Sequence, residues 1–372
     1  MKKIEKEYHI DFDQEPKARN VIILLDGTWQ DENEGEKISN VVKLWECLEK
    51  DSDQQITRYF RGVGNDEEFS MIGSLISGFT GNREKKVRQN AYATINKEYR
   101  PGDRIFIFGF SRGAACARML ASDLCDHGLY EKINITSVPK SNKRSNHVEV
   151  RFKRYAVDGR KSDVQVEFLG VWDTVGAFGI PMKILGIPFN KWDLFKDMHI
   201  AKNIKKAVHI VAIDETRDPF KPTLMNKEPG IVKEVWFPGV HSDVGGSYVE
   251  DELAKISLNF MVKEFKKAAQ NLGDPEILFD DKKVKKYTSD AYDTAVFHFL
   301  GLGWKKSIRD IFVQSEDNPT NEKPNIHRSV FDLQKSSNVH CVNTKKKIST
   351  NYLIQYNPIN VKALNHNYTI LD

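Results

Sequence analysis

Short apolar runs recur along the chain, and each of them stops at turn-forming or polar residues. The clearest runs cover residues 21–25, 104–108, 164–171 and 233–237. Runs of this length and apolar character are typical of strands that are buried on both faces of a sheet. The sequence therefore predicts several buried strands.

Between these runs, apolar residues recur at intervals of three and four, which predicts amphipathic helices. The predicted helices cover residues 40–49, 84–99, 114–121 and 252–265, and the segment 200–213 is also predicted to be helical. Strands that alternate with helices form a mostly parallel sheet with helices on both faces. The sequence thus predicts the α/β class, with the reactive residues at the carboxyl ends of the strands.

Composition and periodicity divide the chain into three parts. Residues 1–19 are charged and are expected to be irregular, whereas residues 20–273 carry the α/β pattern. Within residues 20–273, the stretch 139–161 is basic and poorly periodic, which predicts an exposed insertion. The apolar stretch 176–195 is either a lid or a buried loop. Residues 274–372 are expected to pack on the domain of residues 20–273 or to complete it.

Composition excludes several classes of protein. The 372 residues are 40% hydrophobic and 29% charged with a net charge of +4, as in ordinary globular proteins. The four cysteines include no CxxC pair, so they predict neither a disulfide framework nor a zinc site. We see no signal peptide and no apolar stretch of the ~18 residues that a membrane span needs. We therefore expect a cytoplasmic protein as synthesised, exported, if at all, by a non-classical route. No motif favours a nucleic-acid partner.

Residues 109–113 read Gly-Phe-Ser-Arg-Gly, a GxSxG pattern centred on Ser111. A predicted strand precedes the pattern and an alanine-rich predicted helix follows it. This arrangement is typical of a nucleophile elbow, where a sharp turn exposes the serine hydroxyl above the sheet. The elbow predicts an α/β-hydrolase-like fold with Ser111 as nucleophile. A serine that merely caps the helix is the alternative.

A serine nucleophile needs a base, and the base needs an acid that orients it. His241 follows a predicted strand in a glycine-rich turn and is the preferred base, with His327 as the second candidate. Asp173 ends the third apolar run and is the preferred acid. Asp214 and Asp243 are the alternatives, and Asp243 is also suited to hydrogen-bond the loop backbone.

Hydrogen-bond donors are needed for the oxyanion that forms during acyl transfer. We expect one of them to be the backbone N–H of Arg112 and the other to be the N–H of Gly27 or Thr28, after the first strand. Asp26 in the same turn either supports the site or is an ordinary turn residue. This chemistry needs neither a cofactor nor a metal.

Five blocks follow one another along the chain, and together they resemble a known family. They are LDGTW at 25–29, RGVGN at 61–65, GFSRGAACAR at 109–118, FLGVWDTVG at 168–176 and FPGVHSDVGG at 237–246. They resemble the uncharacterised α/β-hydrolase family that includes type VI secretion phospholipase effectors. DETR at 214–217 looks like a further block, with a structural role.

The resemblance implies a Ser–Asp–His triad of Ser111, Asp173 and His241. It also implies hydrolysis of lipid esters, with phospholipase A activity in characterised members. Lipid or another acyl ester is then the expected substrate. An immunity protein or secretion machinery would be the partner of a delivered effector.

The residues themselves favour lipid less strongly than the resemblance does. The stretch 176–195 lies just after Asp173, where a lid would lie. Basic residues between 140 and 161 suit a peripheral contact with anionic headgroups, although a solvated insertion is the simpler interpretation. Two other functions stay open. One is a non-catalytic binding module on this fold. The other is a hydrolase whose divalent metal is held by Asp26, Asp173, His241 and Asp243.

Overall fold

A computed structural model describes residues 4–27, 38–62, 82–140, 149–175, 199–289, 296–300, 307–336, 339–345 and 348–372. The strands are β1 (Ile4–His9), β2 (Asn20–Leu25), β3 (Gln55–Phe60), β4 (Arg104–Phe110), β5 (Leu129–Lys140), β6 (Glu149–Ser162), β7 (Val166–Trp172), β8 (Ala207–Ala212), β9 (Val232–Phe237), β10 (Val296–Leu300), β11 (Val313–Ser315), β12 (Asn318–Thr320), β13 (Asn325–His327), β14 (Val339–Lys345), β15 (Ile348–Ile354) and β16 (Thr369–Leu371). The helices are α1 (Asn40–Cys47), α2 (Asn82–Glu98), α3 (Arg112–His127), α4 (His241–Gly245), α5 (Glu252–Gln270), α6 (Asp281–Tyr287), α7 (Ser329–Lys335) and α8 (Ile359–Ala363).

Eight strands form one parallel sheet in the order β16-β13-β9-β8-β7-β4-β2-β3. The chain leaves β2 toward β3 on one side, then returns to β4 and continues outward on the other side. The strand order therefore reverses between β2 and β4, and a crevice opens at the carboxyl ends of the strands at such a reversal. The predicted α/β-hydrolase-like class is confirmed.

Helices cover both faces of this sheet, as the alternation of side chains along β4 illustrates. Phe106 and Phe108 point to one face, in a cluster with residues of α1 and α5. Ile105 and Ile107 point to the other face, where α2 and α3 pack. Because successive side chains alternate across a strand, a run that is apolar at every position has to be covered on both sides.

The predicted helix over 200–213 is wrong, because β8 occupies Ala207–Ala212. All six residues of β8 are buried, and its neighbours in the sheet are β7 and β9. A strand in this central position is apolar on both faces. Its sequence therefore lacks the alternation that distinguishes a half-exposed strand from a helix.

The expectation of irregular structure at residues 1–19 also needs correction, and the insertion predicted at 139–161 contains most of strand β6. Strands β1 and β6 pair with the intervening β5 in a separate antiparallel sheet of order β1-β5-β6. Its small core contains Ile133, Ile135 and Ala93 of α2, with Tyr8 and Tyr155 packed against it. Because only one face of this sheet is covered, its strands carry few apolar residues. The hydrophobic pattern of the sequence therefore did not predict these strands.

The part of the chain after residue 274 contributes to the main sheet. β13 pairs with β9, and β16 pairs with β13, both in parallel. A further sheet has the order β10-β14-β15, and β11 and β12 form a hairpin. Among the helices that the structure describes, every one is too short or too polar to cross a membrane. The segment 176–195, predicted as a lid or buried loop, lies outside the described residues.

Asn40 joins the helices on one face of the sheet. Its side-chain amide donates to Val244 O at 3.0 Å, to Ala254 O at 2.9 Å and to Ser257 Oγ at 2.9 Å. These partners lie on α4 and α5, whereas Asn40 begins α1. The amide is buried, so water does not compete for these bonds, and the Ser257 hydroxyl donates to the same two carbonyl groups.

We expect Asn40→Ala to lower the free energy of unfolding by about 1–3 kcal/mol, because it removes the buried hydrogen bonds that join α1 to α4 and α5. Urea unfolding followed by circular dichroism measures this change. Asn321 is exposed, and Asn321→Ala is the matched control, with an expected change within about 0.5 kcal/mol. Equal effects of the two substitutions would contradict the assigned role of Asn40.

Candidate active site

The turn between β4 and α3 carries Ser111 at the carboxyl edge of the sheet. Its φ is +59° and its ψ is −124°, a conformation that residues other than glycine rarely adopt and that costs conformational energy. The Ser111 N–H donates to Trp172 O at 3.0 Å. The end of β7 therefore holds this strained turn in place.

The glycines of the GxSxG pattern are required by close approaches of the backbone. A Cβ on Gly113 would lie 2.2 Å from Leu25 O, and a Cβ on Gly109 would lie 2.5 Å from Gly113 O. Helix α3 thus begins in direct contact with the end of β2. A larger residue at 113 would push the helix away from β2, and one at 109 would push the first turn of the helix away from β4.

Ser111, His241 and Asp173 form a continuous chain of hydrogen bonds. Ser111 Oγ lies 2.9 Å from His241 Nε2, and His241 Nδ1 lies 2.6 Å from Asp173 Oδ2. Their exposed fractions are 7%, 4% and 0% respectively. When Nδ1 carries the proton that Asp173 accepts, Nε2 is left to accept the proton of the Ser111 hydroxyl. The arrangement can move that proton to the imidazole while the carboxylate stabilises the resulting charge.

His241 begins α4 and lies between two aromatic rings. Its ring centroid is 4.6 Å from that of Phe110 and 5.0 Å from that of Phe220. Its backbone N–H donates to Glu215 Oε2 at 3.2 Å. Burial lowers the pKa of His241, and the hydrogen bond and charge of Asp173 offset this only in part. The ring therefore stays neutral, and able to act as a base, into mildly acidic solution.

Asp173 follows β7 and is surrounded by donors. In addition to His241, its carboxylate accepts from the Ala212 N–H at 3.0 Å and from two nitrogens of Arg309 at 2.6 and 3.0 Å. Burial acts to raise the pKa of Asp173, but the charge of Arg309 and the bond from His241 outweigh it. The pKa of Asp173 therefore lies well below its ordinary value, and the carboxyl group stays ionised.

Asp243 hydrogen-bonds the backbone of the loop that carries His241, which is the role that its position two residues after His241 suggested. Its Oδ2 accepts from the Val240 N–H at 3.0 Å. Its Oδ1 lies 2.6 Å from Nδ1 of His298, whose ring stacks on Tyr248 with 3.8 Å between centroids. Asp243 thus orients His241 through the backbone.

Asp26 holds the turn after β2 beside the elbow. Its Oδ2 accepts from Ser39 Oγ at 2.8 Å and from the Tyr59 hydroxyl at 2.9 Å, while Oδ1 accepts from the Gly27 N–H at 2.7 Å. These bonds connect β2 to β3 and to the start of α1. Asp26 is therefore a buried anchor of this turn rather than an ordinary surface aspartate.

Of the three residues expected to donate to the oxyanion, Arg112 and Gly27 lie next to Ser111 in the structure. Arg112 is the first residue of α3, where backbone N–H groups point out of the helix end. Gly27 lies against the nucleophile, since a Cβ added to it would be 3.1 Å from the Ser111 Cβ. Its N–H, however, is engaged by the Asp26 carboxylate. Thr28 lies outside the described residues.

The other candidates for base and acid have other partners. His327 Nδ1 lies 2.7 Å from Ser329 Oγ. Asp214 accepts from the Gly239 N–H at 2.7 Å and from the Tyr356 hydroxyl at 2.8 Å. Burial raises the pKa of Asp214 to about 7. Neither side chain takes the place of His241 or Asp173 beside Ser111.

Of the four residues of the alternative metal site, two bond residues outside the set and the other two bond each other. Asp26 bonds Ser39, Asp173 bonds His241, and Asp243 bonds His298. In the parts of the chain that the structure describes, no group of three His, Cys, Asp or Glu side chains is arranged to hold a metal ion.

Arg309, His298 and Glu215 contact the site in ways that the sequence patterns did not predict. Glu215 lies in the DETR block at 214–217, which marked the segment but not its contact with His241. Arg309 and His298 lie after residue 274, where the periodicity predicted no clear element. No local motif distinguishes them, because their partners are far away in sequence.

Comparison with known proteins finds relatives for much of the chain. It is 26% identical over 318 residues to the uncharacterized protein YEL023C of Saccharomyces cerevisiae, covering 74% of this chain and 44% of that protein. It is similar to the crystal structure of an uncharacterized protein from Pseudomonas aeruginosa, with 21% identity, a TM-score of 0.45, and coverage of 73% of this chain and 49% of that chain.

A second similar structure is that of the Tle1 effector bound to the VgrG spike from the Type 6 secretion system. The identity is 21% and the TM-score 0.36, with 63% of this chain and 52% of that chain covered. The chain thus spans about half the length of these relatives.

A family model matches residues 19–264, well over half of the 372-residue chain. This stretch contains the elbow and the two strand-end loops that meet it. The chain belongs to the family described as T6SS, Phospholipase effector Tle1-like, catalytic domain, a family of lipase/esterase-type hydrolases.

Proposed function

We propose that the protein is a serine ester hydrolase in which Ser111 is the nucleophile, His241 the general base and Asp173 the acid that orients it. The observation that carries this proposal is the chain of hydrogen bonds, 2.9 Å from Ser111 to His241 and 2.6 Å from His241 to Asp173. A serine hydroxyl is a weak nucleophile, and a histidine oriented by a carboxylate activates it. The strained elbow at Ser111 gives the same support, because strain of this kind persists at functional sites.

The proposed reaction has two steps. In the first, His241 Nε2 takes the hydroxyl proton while Ser111 Oγ attacks the carbonyl carbon of the ester. The imidazolium then gives this proton to the oxygen of the leaving alcohol, and the acyl group stays on Ser111. In the second, His241 takes a proton from water as the water oxygen attacks the acyl carbon. The carboxylic acid leaves, and Ser111 regains its proton from His241.

The oxyanion of both steps is stabilised by the Arg112 N–H at the start of α3, together with an N–H from the turn at Gly27 and Thr28. A helix N-terminus favours negative charge, so α3 supports this role. If Gly27 is the second donor, its N–H has to turn from Asp26 toward the substrate. The reaction requires no cofactor and no metal ion.

Lipid acyl esters are the proposed substrate class, with phospholipid first. The family description, a phospholipase effector catalytic domain, supports this choice. Peripheral contact with a membrane surface follows from such a substrate. An effector role, with secretion machinery or an immunity protein as partner, is part of the same proposal.

We also propose that the catalytic domain includes the part of the chain after residue 274. Strands β13 and β16 from this part lie in the main sheet. Arg309, from the same part, bonds Asp173. These contacts support a single working unit rather than an appended domain.

A fluorophosphonate probe tests the nucleophile. We expect stoichiometric labelling of the wild-type protein and no labelling of Ser111→Ala, whose ester hydrolysis should fall by at least about a thousandfold. The matched control is Ser122→Ala on the same helix, because the Ser122 hydroxyl bonds the Arg118 carbonyl. Labelling that persists in Ser111→Ala would show that another residue reacts. An unlabelled wild type that turns over only with a divalent metal would favour the metal-dependent alternative.

The pH dependence tests the base. We expect kcat/KM to fall as the pH drops through the pKa of His241, because a protonated ring cannot accept the Ser111 proton. Burial lowers this pKa, so the midpoint of the fall lies below the ordinary histidine value of about 6.5. The Asp173 carboxyl remains ionised across that range. A pH–rate profile with its acid midpoint at or above the ordinary value would contradict the assignment.

Product analysis tests the substrate class. We expect the protein to release fatty acid from vesicles of phosphatidylethanolamine and phosphatidylglycerol, and Ser111→Ala to release none. Mass spectrometry of the lysolipid and fatty-acid products measures this and identifies the acyl position. Rapid hydrolysis of a short soluble ester, with vesicles and micelles left intact, would overturn the lipid proposal while leaving the esterase mechanism in place.

A further inference from the structure

Arg309 makes a two-pronged contact with Asp173. One terminal nitrogen of its guanidinium lies 2.6 Å from Asp173 Oδ1, and the other lies 3.0 Å from Oδ2. Both side chains are buried. The guanidinium also donates to the carbonyl groups of Ala212 and Phe220, while Asn360 donates to the Arg309 carbonyl at 3.1 Å. Arg309 is therefore held rigidly, and its plane sets the plane of the carboxylate.

Arg309 changes the net charge of the buried set formed by Arg309, Asp173 and His241. Arg309 and His241 both donate to Oδ2 of Asp173, so one carboxylate serves two partners. With Asp173 ionised and His241 neutral, the buried set of three has no net charge. A proton on His241 gives the set a net positive charge in a site with little water. Without Arg309, the same proton would neutralise a buried negative charge.

We propose that Arg309 is a positioning residue of the active site, which orients the Asp173 carboxylate and offsets its charge so that His241 rests in the neutral, proton-accepting form. The inference rests on the proposed roles of Ser111, His241 and Asp173. It assigns to the poorly patterned C-terminal part of the chain a direct influence on the chemistry.

Other charged groups surround His241, and most of them are paired. The charged groups that act on His241 are Asp173, Glu215 and Arg217. The buried network around these groups contains Asp214, Asp243, Tyr248, His298, Arg309 and Tyr356. Glu215 and Arg217 lie 2.7 Å apart, and their effects on His241 oppose each other. Asp243 and His298 lie 2.6 Å apart. Asp214 is the carboxyl group that the experiment must separate from His241, because burial raises its pKa to about 7.

Two substitutions separate the charge of Arg309 from its shape. Arg309→Gln keeps a hydrogen-bond donor but removes the charge. Arg309→Lys keeps the charge but loses the fork that contacts both carboxylate oxygens. A residue with a merely structural role would slow the reaction equally at every pH in both variants.

The experiment measures the rate constant of fluorophosphonate labelling of Ser111 as a function of pH, in the full chain. For Arg309→Gln, we expect the acid midpoint to rise by about one pH unit, because the triad then takes up a proton more readily. For Arg309→Lys, the midpoint stays near that of the wild type while the rate falls at all pH values. Arg118→Gln is the matched control, since this buried arginine bonds the Thr223 and Leu224 carbonyls. It should leave the midpoint unchanged.

The Asp214→Asn background removes the competing titration. We expect the rise caused by Arg309→Gln to persist there. Trimethylamine N-oxide, which stabilises compact states, is present in all measurements, and circular dichroism verifies folding. An Arg309→Gln midpoint equal to that of the wild type, or a rise that vanishes with Asp214→Asn, overturns the inference alone. A wild type that is not labelled, or labelling that survives Ser111→Ala, overturns the proposed function and this inference together.

Discussion

The burial of the Asp173 carboxylate is the constraint on which the site depends. A charge with no solvent contact is tolerated only when donors and opposite charge replace water. Asp173 obtains them from the backbone of Ala212, the ring of His241 and the guanidinium of Arg309. Each donor comes from a different element, so the carboxylate has the right orientation only when β7, β8, α4 and the segment around Arg309 are all in place.

The proposed triad was predictable because its members follow strands. Ser111 follows β4, Asp173 follows β7 and His241 follows β9, and these strands are parallel within one sheet. Parallel strands end at one edge, so residues that are distant in sequence meet there. An apolar run followed by a polar residue is a local signal, and three such signals were enough to select the residues that the structure brings together.

What the sequence did not reveal has a common physical cause. β8 is buried on both faces, so its pattern lacks the period of two that identifies a strand. β1 and β6 are covered on one face only and carry too few apolar residues to stand out. Arg309 has partners more than ninety residues away, and its own neighbours form neither helix nor strand. Local sequence patterns predict contacts between residues that are near in sequence. These strands and the position of Arg309 depend on contacts between residues that are distant in sequence.

The family match ends at residue 264, but the groups that complete the site do not. His298 holds Asp243, Arg309 holds Asp173 and Tyr356 holds Asp214, and all three of these partners lie beyond the match. A chain that ended at 264 would remove one partner from each of these buried carboxyl groups, and the loss of a partner from a buried charge is destabilising. The sequence signature of the proposed site is therefore shorter than the part of the chain that holds the site together. The less recognisable third of the chain provides the charge balance for the more recognisable part.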